Sequence, residues 1–262
     1  MSLRGSDVVI EPKEFVNYLK NIKRIERVDV KKTCICCYDS RILSKIVDRT
    51  RAEKVENWVF WGEKRRTLLN FEVNGDEASV FRFEFGAPNA GTMLEILIAC
   101  GARCFIVFGS AGTLQRHVDT GDLVIARQAV VDEGLSRHYS ESMERLEGGE
   151  RVIDALEAAC RKKGAKYHVG TTLSTDAIFR ETVEKVGRHQ MGGVLTVDME
   201  ASALYAISRF RGVETACLFY VSDSLADLRW KPRFHDSAVE RSIDVGVDIV
   251  LDAAQTLGKL VK

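Results

Sequence analysis

Two carboxylates stand where an apolar strand-like run enters a helical pattern, in VLTVDMEASALYAI at 194–207. Asp198 and Glu200 flank Met199 at this junction. The helix dipole favours acids in a first turn by about 0.3–1 kcal/mol, which accounts for one acid more easily than for two. A carboxylate at this place is also able to accept two hydrogen bonds from a vicinal diol, as on a ribose, while Met199 covers the apolar sugar face.

A second candidate follows the run RCFIVF, where the residues GSAG occupy 109–112. The pattern predicts a buried strand and then a glycine turn. Small residues let backbone N–H groups approach an anion, and Ser110 beside Gly109 adds a hydroxyl donor. The structural alternative is a tight turn that needs the positive φ of glycine. Dinucleotide and P-loop fingerprints are absent, since no G-x-G-x-x-G or G-K-[ST] is present.

A third candidate is YVSDSL at 220–225, which places Ser222 and Asp223 at the end of another apolar run. Asp223 is either a cap of a helix or turn, or a general acid whose pKa is raised in an apolar pocket. An anion site, a diol acceptor and a proton donor on one sheet edge suit the cleavage of an N-glycosidic bond.

The elements that must position these residues follow from hydrophobic periodicity. Helices are predicted at 40–53, 89–101, 152–164, 199–210 and 237–261. Strands are predicted at 33–38, 57–62, 66–73, 79–86, 103–108, 121–131, 166–174, 194–198 and 213–223. Such alternation predicts an α/β fold, a single-domain three-layer αβα sandwich with a central mixed, mainly parallel sheet. In such sheets ligands bind at the carboxyl ends of strands, where all three candidates lie.

Composition sets the broad class. The 262 residues suit one domain over 1–262, in which 1–29 form an N-terminal extension whose first residues are compatible with a cloning remnant. Lys plus Arg and Asp plus Glu number 38 each, so bulk charge argues against nucleic-acid binding. No apolar run reaches transmembrane length and no signal peptide is recognised, which together predict a cytoplasmic protein without membrane contact.

The seven cysteines lie mostly in apolar runs and are expected to be buried free thiols. A zinc site is the alternative for Cys34, Cys36 and Cys37. They lack C-x-x-C spacing and no histidine pair complements them, so we expect no metal.

Five segments in order resemble the motifs of the nucleoside phosphorylase-I family over about residues 30–260: FGSAGTL, GDLVIARQAVVDEG, TTLSTDAIF, VDMEASALYAIS and YVSDSLAD. The end of the chain is most similar to archaeal purine and methylthioadenosine phosphorylases. The resemblance implies a pentosyltransferase that uses phosphate to release a free base and ribose 1-phosphate from a purine nucleoside. It implies phosphate as co-substrate, no metal or organic cofactor, and a homo-oligomer built from dimers, as in hexamers.

The resemblance also implies roles for individual residues. The phosphate-binding residues would be Arg41, Gly109 and Ser110; the ribose-binding residues Met199 and Glu200; the base-binding residues Phe179, Asp198 and Ser222; and the catalytic acid Asp223.

Departures from the family pattern concern the phosphate. The usual G-D-P-G-R is CYDSR here, which keeps Arg41, and a second family arginine is replaced by Val107. Arg65 or Arg66 is a candidate for a third. Three alternatives therefore stay open: a uridine phosphorylase, a hydrolytic nucleosidase, and a nucleoside-binding protein without catalysis.

Overall fold

The structure is a computed structural model that describes residues 8–60, 67–140 and 144–260. Seven α-helices occur in these ranges: α1 Pro12–Lys23, α2 Ser40–Thr50, α3 Ala87–Cys100, α4 Glu150–Lys163, α5 Val183–Met191, α6 Ala201–Arg211 and α7 Ser237–Leu260. The strands there are β1 Thr33–Cys37, β2 Glu53–Lys54, β3 Leu68–Val73, β4 Asp76–Arg82, β5 Cys104–Thr113, β6 Leu123–Asp132, β7 Arg145–Glu147, β8 Tyr167–Thr175, β9 Thr196–Asp198, β10 Glu214–Ser224 and β11 Lys231–Pro232. Short 3-10 helices occupy Ser136–His138 and Ile178–Arg180.

The strands form one mixed sheet, as predicted. β5 pairs with β10 in parallel, β10 with β6 antiparallel, β6 with β8 and β8 with β9 in parallel, and β9 with β5 antiparallel. These five pairings close a ring, which the sequence did not predict. From β5 the sheet continues through β1, β4, β3 and β2.

Helices cover the sheet on both sides, which confirms the predicted α/β fold class. Alternate residues of β1 enter different cores: Cys34 and Cys36 pack in one, while Ile35 and Cys37 pack in the other. The first core includes residues of α3 and α6, and the second those of α2, α4 and α7. Because both faces are buried, the strands read as continuous apolar runs rather than as alternating ones.

Glycine positions explain two features of the helices. Gly101 and Gly164 end α3 and α4 with positive φ, as the sequence predicted. Gly246 lies inside α7, where a Cβ would be 2.1 Å from Cζ of Phe108. This residue therefore allows α7 to approach β5, although glycine lowers the helix propensity.

Some predicted boundaries were wrong. The GSAG segment at 109–112 belongs to β5 itself and is not a turn after it. Residues 57–60 form turns instead of a strand, although Trp58 and Phe60 are buried, and 61–66 lie outside the described residues. Helices α1 and α5 were not predicted. Within the proposed extension 1–29, α1 packs on α3 and so belongs to the folded body.

All seven cysteines are free thiols, and all except the half-buried Cys100 are buried. Over the part of the chain that the structure describes, no helix has both the length and the apolar character needed to span a bilayer.

Candidate active site

A cavity of about 450 Å³ lies at the carboxyl ends of β5, β9 and β10. Seven of the nine predicted site residues line it: Ser110, Phe179, Asp198, Met199, Glu200, Ser222 and Asp223. The other lining residues are mostly apolar and include Tyr38, Phe85, Ile178, Val183, Leu225, Trp230 and Phe234. Gly109 and Arg41 are not among the lining residues. Most of the residues predicted from the rule that ligands bind at the carboxyl ends of strands (the strand-end rule) therefore lie in one cavity.

Asp198 positions the junction between β9 and α6. Its Oδ1 accepts hydrogen bonds from the backbone N–H groups of Glu200 and Ala201, at 2.7 and 2.8 Å. Its two carboxylate oxygens also accept from Ser174 Oγ at 2.9 Å and from Thr172 Oγ1 at 2.7 Å. Burial raises the pKa of Asp198, and these four donors oppose the rise. Asp198 thus accepts hydrogen bonds from backbone N–H groups at the start of α6, whose N-cap residue is Glu200, and its oxygens already have partners.

Of the two acids at this junction, Glu200 is the one that is available to a ligand. Its side chain is buried at the cavity, and Oε1 accepts a hydrogen bond of 2.6 Å from the backbone N–H of Gly86. Gly86 has φ +95°, a conformation that favours glycine. Burial, and after it the charge of Asp198, raises the pKa of Glu200 to about 8. Glu200 is therefore a buried carboxyl at the cavity, anchored by backbone N–H groups of Gly86 and Met199.

The base end, defined here as Glu181, Asp223 and Trp230, contains a second acidic pair. Asp223 Oδ1 accepts from Ser222 Oγ at 2.7 Å, and Oδ2 accepts from Trp230 Nε1 at 2.9 Å. Ser222 therefore orients Asp223. Phe179, predicted to contact the base, is 93% exposed at the rim. Trp230 was not predicted as a site residue, although the indole is a donor seven residues after Asp223.

Glu181 is a site residue that the sequence analysis missed. It lines the cavity just before α5, and burial, followed by the negative charge of Asp223, raises its pKa to about 7. Lys185 opposes this rise. Glu181 follows no strand, so the rule that selected the other acids did not apply to it.

Gly109 and Gly112 of β5 do not have positive φ. Their role is instead to leave room for neighbouring side chains that approach the strand closely. A Cβ at Gly109 would lie 3.0 Å from Cδ2 of Tyr38, and one at Gly112 would lie 3.0 Å from Oδ2 of Asp223. With a rise of about 3.3 Å per residue, these two positions are roughly 10 Å apart along the strand. The tight-turn alternative for these glycines was wrong.

The phosphate end, defined here as Tyr38, Gly109 and Ser110, is aromatic rather than cationic. Tyr38 stacks on Phe85 with ring centroids 5.9 Å apart and an interplanar angle of 6°. Its buried hydroxyl has no hydrogen-bond partner in the described part of the chain. Burial, and then the charge of Glu200, raises the pKa of Tyr38 well above its usual value, so the hydroxyl keeps its proton.

Arg41 is bound by carboxylates. Its Nε and Nη2 donate to Asp39 Oδ2 at 2.9 and 2.6 Å, and Nη1 pairs with Glu240 of α7. Tyr220 also donates to Asp39 Oδ2, at 3.0 Å. Val107, at the position of a family arginine, is 1% exposed in the core. Arg65 and Arg66 lie outside the described residues.

The model of the phosphorylase superfamily matches residues 33–258, and the chain therefore belongs to this family. A guanosine phosphorylase of Halorubrum lacusprofundi is 27% identical over 158 residues, 60% of this chain and 66% of that protein. A uridine phosphorylase of Thermococcus kodakarensis is 29% identical over 194 residues, 65% of this chain and 68% of that protein. A DeoD-type purine nucleoside phosphorylase of Dichelobacter nodosus is 27% identical over 184 residues, 65% and 76% of the two chains.

Among solved structures, a uridine phosphorylase of Vibrio fischeri matches with a TM-score of 0.76 and 23% identity. The match covers 87% of this chain and 93% of that one, and it supports the fold. The predicted membership of the nucleoside phosphorylases, and with it the enzyme class of pentosyltransferases, is thereby confirmed. The relatives include purine-specific and uridine-specific names, so the base is not decided by similarity.

Proposed function

We propose that the protein cleaves the N-glycosidic bond of a purine nucleoside with phosphate and releases the free base and ribose 1-phosphate. The observation that carries this is the single cavity shared by Glu200, Ser110 and Asp223. It offers a buried diol acceptor, a hydroxyl donor and an acidic base end within the length of a nucleoside. The family membership supports phosphate as the acceptor of the sugar.

The chemistry follows from these positions. Glu200 accepts hydrogen bonds from the ribose hydroxyls, and Met199 covers the apolar face of the sugar. As the glycosidic bond lengthens, positive charge develops on the sugar and negative charge on the leaving base. The acidic groups at the base end supply a hydrogen bond or a proton at N7 of a purine. Phosphate, bound at Ser110, attacks C1′, so the rate depends on positioning and electrostatics. No metal or organic cofactor takes part in this scheme.

The acidic base end favours purines over uridine. A purine presents N7, which accepts a proton, beside the bond that breaks. Among the described residues that line the cavity, Arg229 alone is a lysine or arginine. Recognition of the two uracil carbonyls would need donors, and the groups here are mainly acceptors. Adenosine, inosine, guanosine and methylthioadenosine are all candidates.

Hydrolysis is the second candidate, and the phosphate end favours it. Arg41 is paired with Asp39 and Glu240, and Val107 replaces a cation. A charged hydrogen bond contributes roughly 1.5–3 kcal/mol, so the loss of two lowers the affinity for phosphate by orders of magnitude. Water needs no such charge. A protein that binds nucleosides without cleaving them is the alternative outside catalysis.

The test is release of free base from adenosine, inosine, guanosine, methylthioadenosine and uridine, with and without phosphate. We expect release from a purine nucleoside only with phosphate. Equal release without phosphate would make the enzyme a hydrolase, and binding without release would make it a carrier or sensor. Asp223→Asn should lower turnover by about 10²-fold, whereas Asp227→Asn, an exposed acid paired with Lys231, should not.

We also propose that the protein forms a homo-oligomer. A measurement of its molecular mass in solution tests this. Helix α1 exposes Phe15, Tyr18 and Ile22 at helical spacing, and the cavity rim exposes Phe85 and Phe179. Exposed apolar groups of this extent are typical of surfaces that a partner covers.

A further inference from the structure

Three apolar side chains lie beside the base end, on the segment that joins β10 to α7. They are called the apolar wall here and comprise Leu228, Trp230 and Phe234, which all line the cavity. The rings of Trp230 and Phe234 pack with their centroids 6.2 Å apart. Trp230 is nevertheless 63% exposed, and Leu228 and Phe234 are exposed as well. The described residues of the protein therefore leave much of this apolar surface uncovered.

Hydrogen bonds hold the apolar wall at a defined place relative to Asp223. Trp230 Nε1 donates to Asp223 Oδ2 at 2.9 Å, and the pairing of β11 with β10 places Pro232 opposite Asp223. Gln190 of α5 donates to the carbonyl oxygen of Ala226 at 3.0 Å, which joins the segment to the body of the protein. Because several contacts position this segment, the wall belongs to the binding site.

Leu228 has an unusual backbone conformation for its residue type. Its φ is +57°, in the left-handed region that bulky residues rarely adopt. Glycine or asparagine would make this turn with less strain. Backbone strain of this kind is found mainly at ligand and active sites. The conformation therefore supports a binding role for the leucine side chain, which a glycine would lack.

The place of the apolar wall relates it to one edge of a purine. Nitrogen N7 and the substituent on C6 lie on the same edge of the purine ring system. In the proposed function N7 faces the acidic base end, so the substituent on C6 points to the same side. Since Trp230 is hydrogen-bonded to Asp223, the wall lies beside that substituent.

We propose that the preferred substrates are purine nucleosides that carry an alkyl group on the amino nitrogen at C6. This inference rests on the proposed function and names its substrate class. The alkyl group would cover the apolar wall and remove apolar area from water, which raises affinity by about fourfold for each buried methylene. The substituent takes no part in the chemistry, so the bonds that break and form are unchanged. Adenosine and inosine would leave the wall uncovered.

A charge next to the apolar wall defines the main alternative. Arg229 lies between Leu228 and Trp230 in the sequence and also lines the cavity. A guanidinium would favour a substituent that ends in a carboxylate. Asp223 and Glu181 line the same cavity, and acids there oppose a further negative charge. The apolar class is favoured because three of the four side chains at this place are apolar.

The test measures kcat/KM, with phosphate present, for adenosine, N6-methyladenosine and N6-isopentyladenosine. We expect kcat/KM to rise along this series and to be at least about tenfold higher for the isopentyl compound than for adenosine. Most of the gain should lie in KM, because the alkyl group binds the ground state and the transition state equally. N6-carboxymethyladenosine is the probe for the alternative based on Arg229.

Two variants test whether the preference comes from the apolar wall. Leu228→Gly removes one of its side chains and relieves the strained φ, so it does not endanger the fold. Phe234→Ala removes one of its rings. Each should lower the ratio of kcat/KM for the isopentyl compound to that for adenosine by about three- to tenfold. Met191→Ala, which removes an exposed apolar side chain outside the lining of the cavity, is the matched control and should keep the ratio.

The outcomes separate the substrate class from the proposed function. If adenosine is cleaved with phosphate but the isopentyl compound is cleaved no faster, the substrate class is overturned and the proposed function stands. A second copy of the chain that covers the wall would give this result. Preference for the carboxymethyl compound, or an unchanged ratio in both variants, would also overturn the substrate class. If no purine nucleoside released its base, the proposed function would be wrong, and the substrate class with it.

Discussion

The base end and the phosphate end of the pocket are positioned by the same strand, β5, but their side chains differ in chemistry, since one end is acidic and the other is aromatic. At Gly112 the strand makes room for Asp223, and at Gly109 it makes room for the ring of Tyr38. The base end has two carboxyls, of which Asp223 accepts hydrogen bonds from Ser222 and Trp230. The phosphate end has an aromatic stack and a hydroxyl, while Arg41 is held by acids outside the cavity lining.

This difference shows where the chain has kept the features of its family. The groups proposed to bind the sugar and base are buried and anchored: Asp198 accepts from four donors, and Glu200 accepts from the backbone of Gly86 and Met199. Such networks resist change, because removing one partner leaves a buried polar group unsatisfied. Binding of phosphate depends on charge that can be exchanged at less cost to the fold. The way in which phosphate is bound is therefore the part of the site in which this chain is expected to differ from its relatives.

The largest effect should come from Glu200→Gln, which changes the buried carboxyl that is proposed to bind the sugar. The amide keeps one acceptor but replaces the other oxygen by a donor that faces the ribose hydroxyl. Above about pH 8, where the wild-type Glu200 is ionised, loss of one charged hydrogen bond and the new mismatch should lower kcat/KM by about 10²-fold. Steady-state kinetics with the preferred nucleoside measures this. A change below about threefold would show that the ribose does not dock on Glu200.

The same variant also tests the burial of this carboxyl. Glu200 has a pKa of about 8 in the folded protein against an ordinary value of 4.5, so the folded state binds its proton more tightly. Its contribution to stability is complete below about pH 4.5 and is lost as pH rises toward and through about 8. Between pH 6 and 9 the wild type should lose about 2 kcal/mol more free energy of unfolding than Glu200→Gln. Urea unfolding at both values measures the difference, and parallel losses would contradict it.

The sequence was sufficient for the features that local patterns encode. Helix stops at Gly101 and Gly164, the apolar runs of the central strands, and the acids at strand ends were all predicted from residue type and spacing. For Asp223 the strand-end rule works because β10 runs parallel to β5, whereas β9, which precedes Glu200, runs antiparallel to β5 and meets it only because the ring closes. Glu200, which follows β9, and Asp223, which lies in β10, nevertheless line the same cavity.

What the sequence did not predict depends on contacts between distant segments. The ring closes because β5 pairs with both β9 and β10, and no local pattern specifies that choice. Glu181 precedes a helix, and its pKa is raised by burial and then by the charge of Asp223, 42 positions later in the chain. The ion pair between Arg41 and Glu240 joins α2 to the distant helix α7. The resemblance of CYDSR to the family's motif indicated that Arg41 binds phosphate, whereas the neighbours of Arg41 in the structure are acids.

The smallest effect should come from Arg41→Ala, which tests whether Arg41 takes part in binding phosphate. Because Asp39 and Glu240 already neutralise the guanidinium, we expect the KM for phosphate to rise by less than threefold. Stability should fall by about 1 kcal/mol, since an ion pair between α2 and α7 is lost. Lys45→Ala is the matched control, because Lys45 also joins α2 to α7, through Asp244 at 2.8 Å. A tenfold rise in the KM for phosphate with Arg41→Ala, absent from Lys45→Ala, would show that Arg41 leaves its acids to bind phosphate. In that case the charge at the phosphate end would be supplied during the reaction rather than built into the free enzyme.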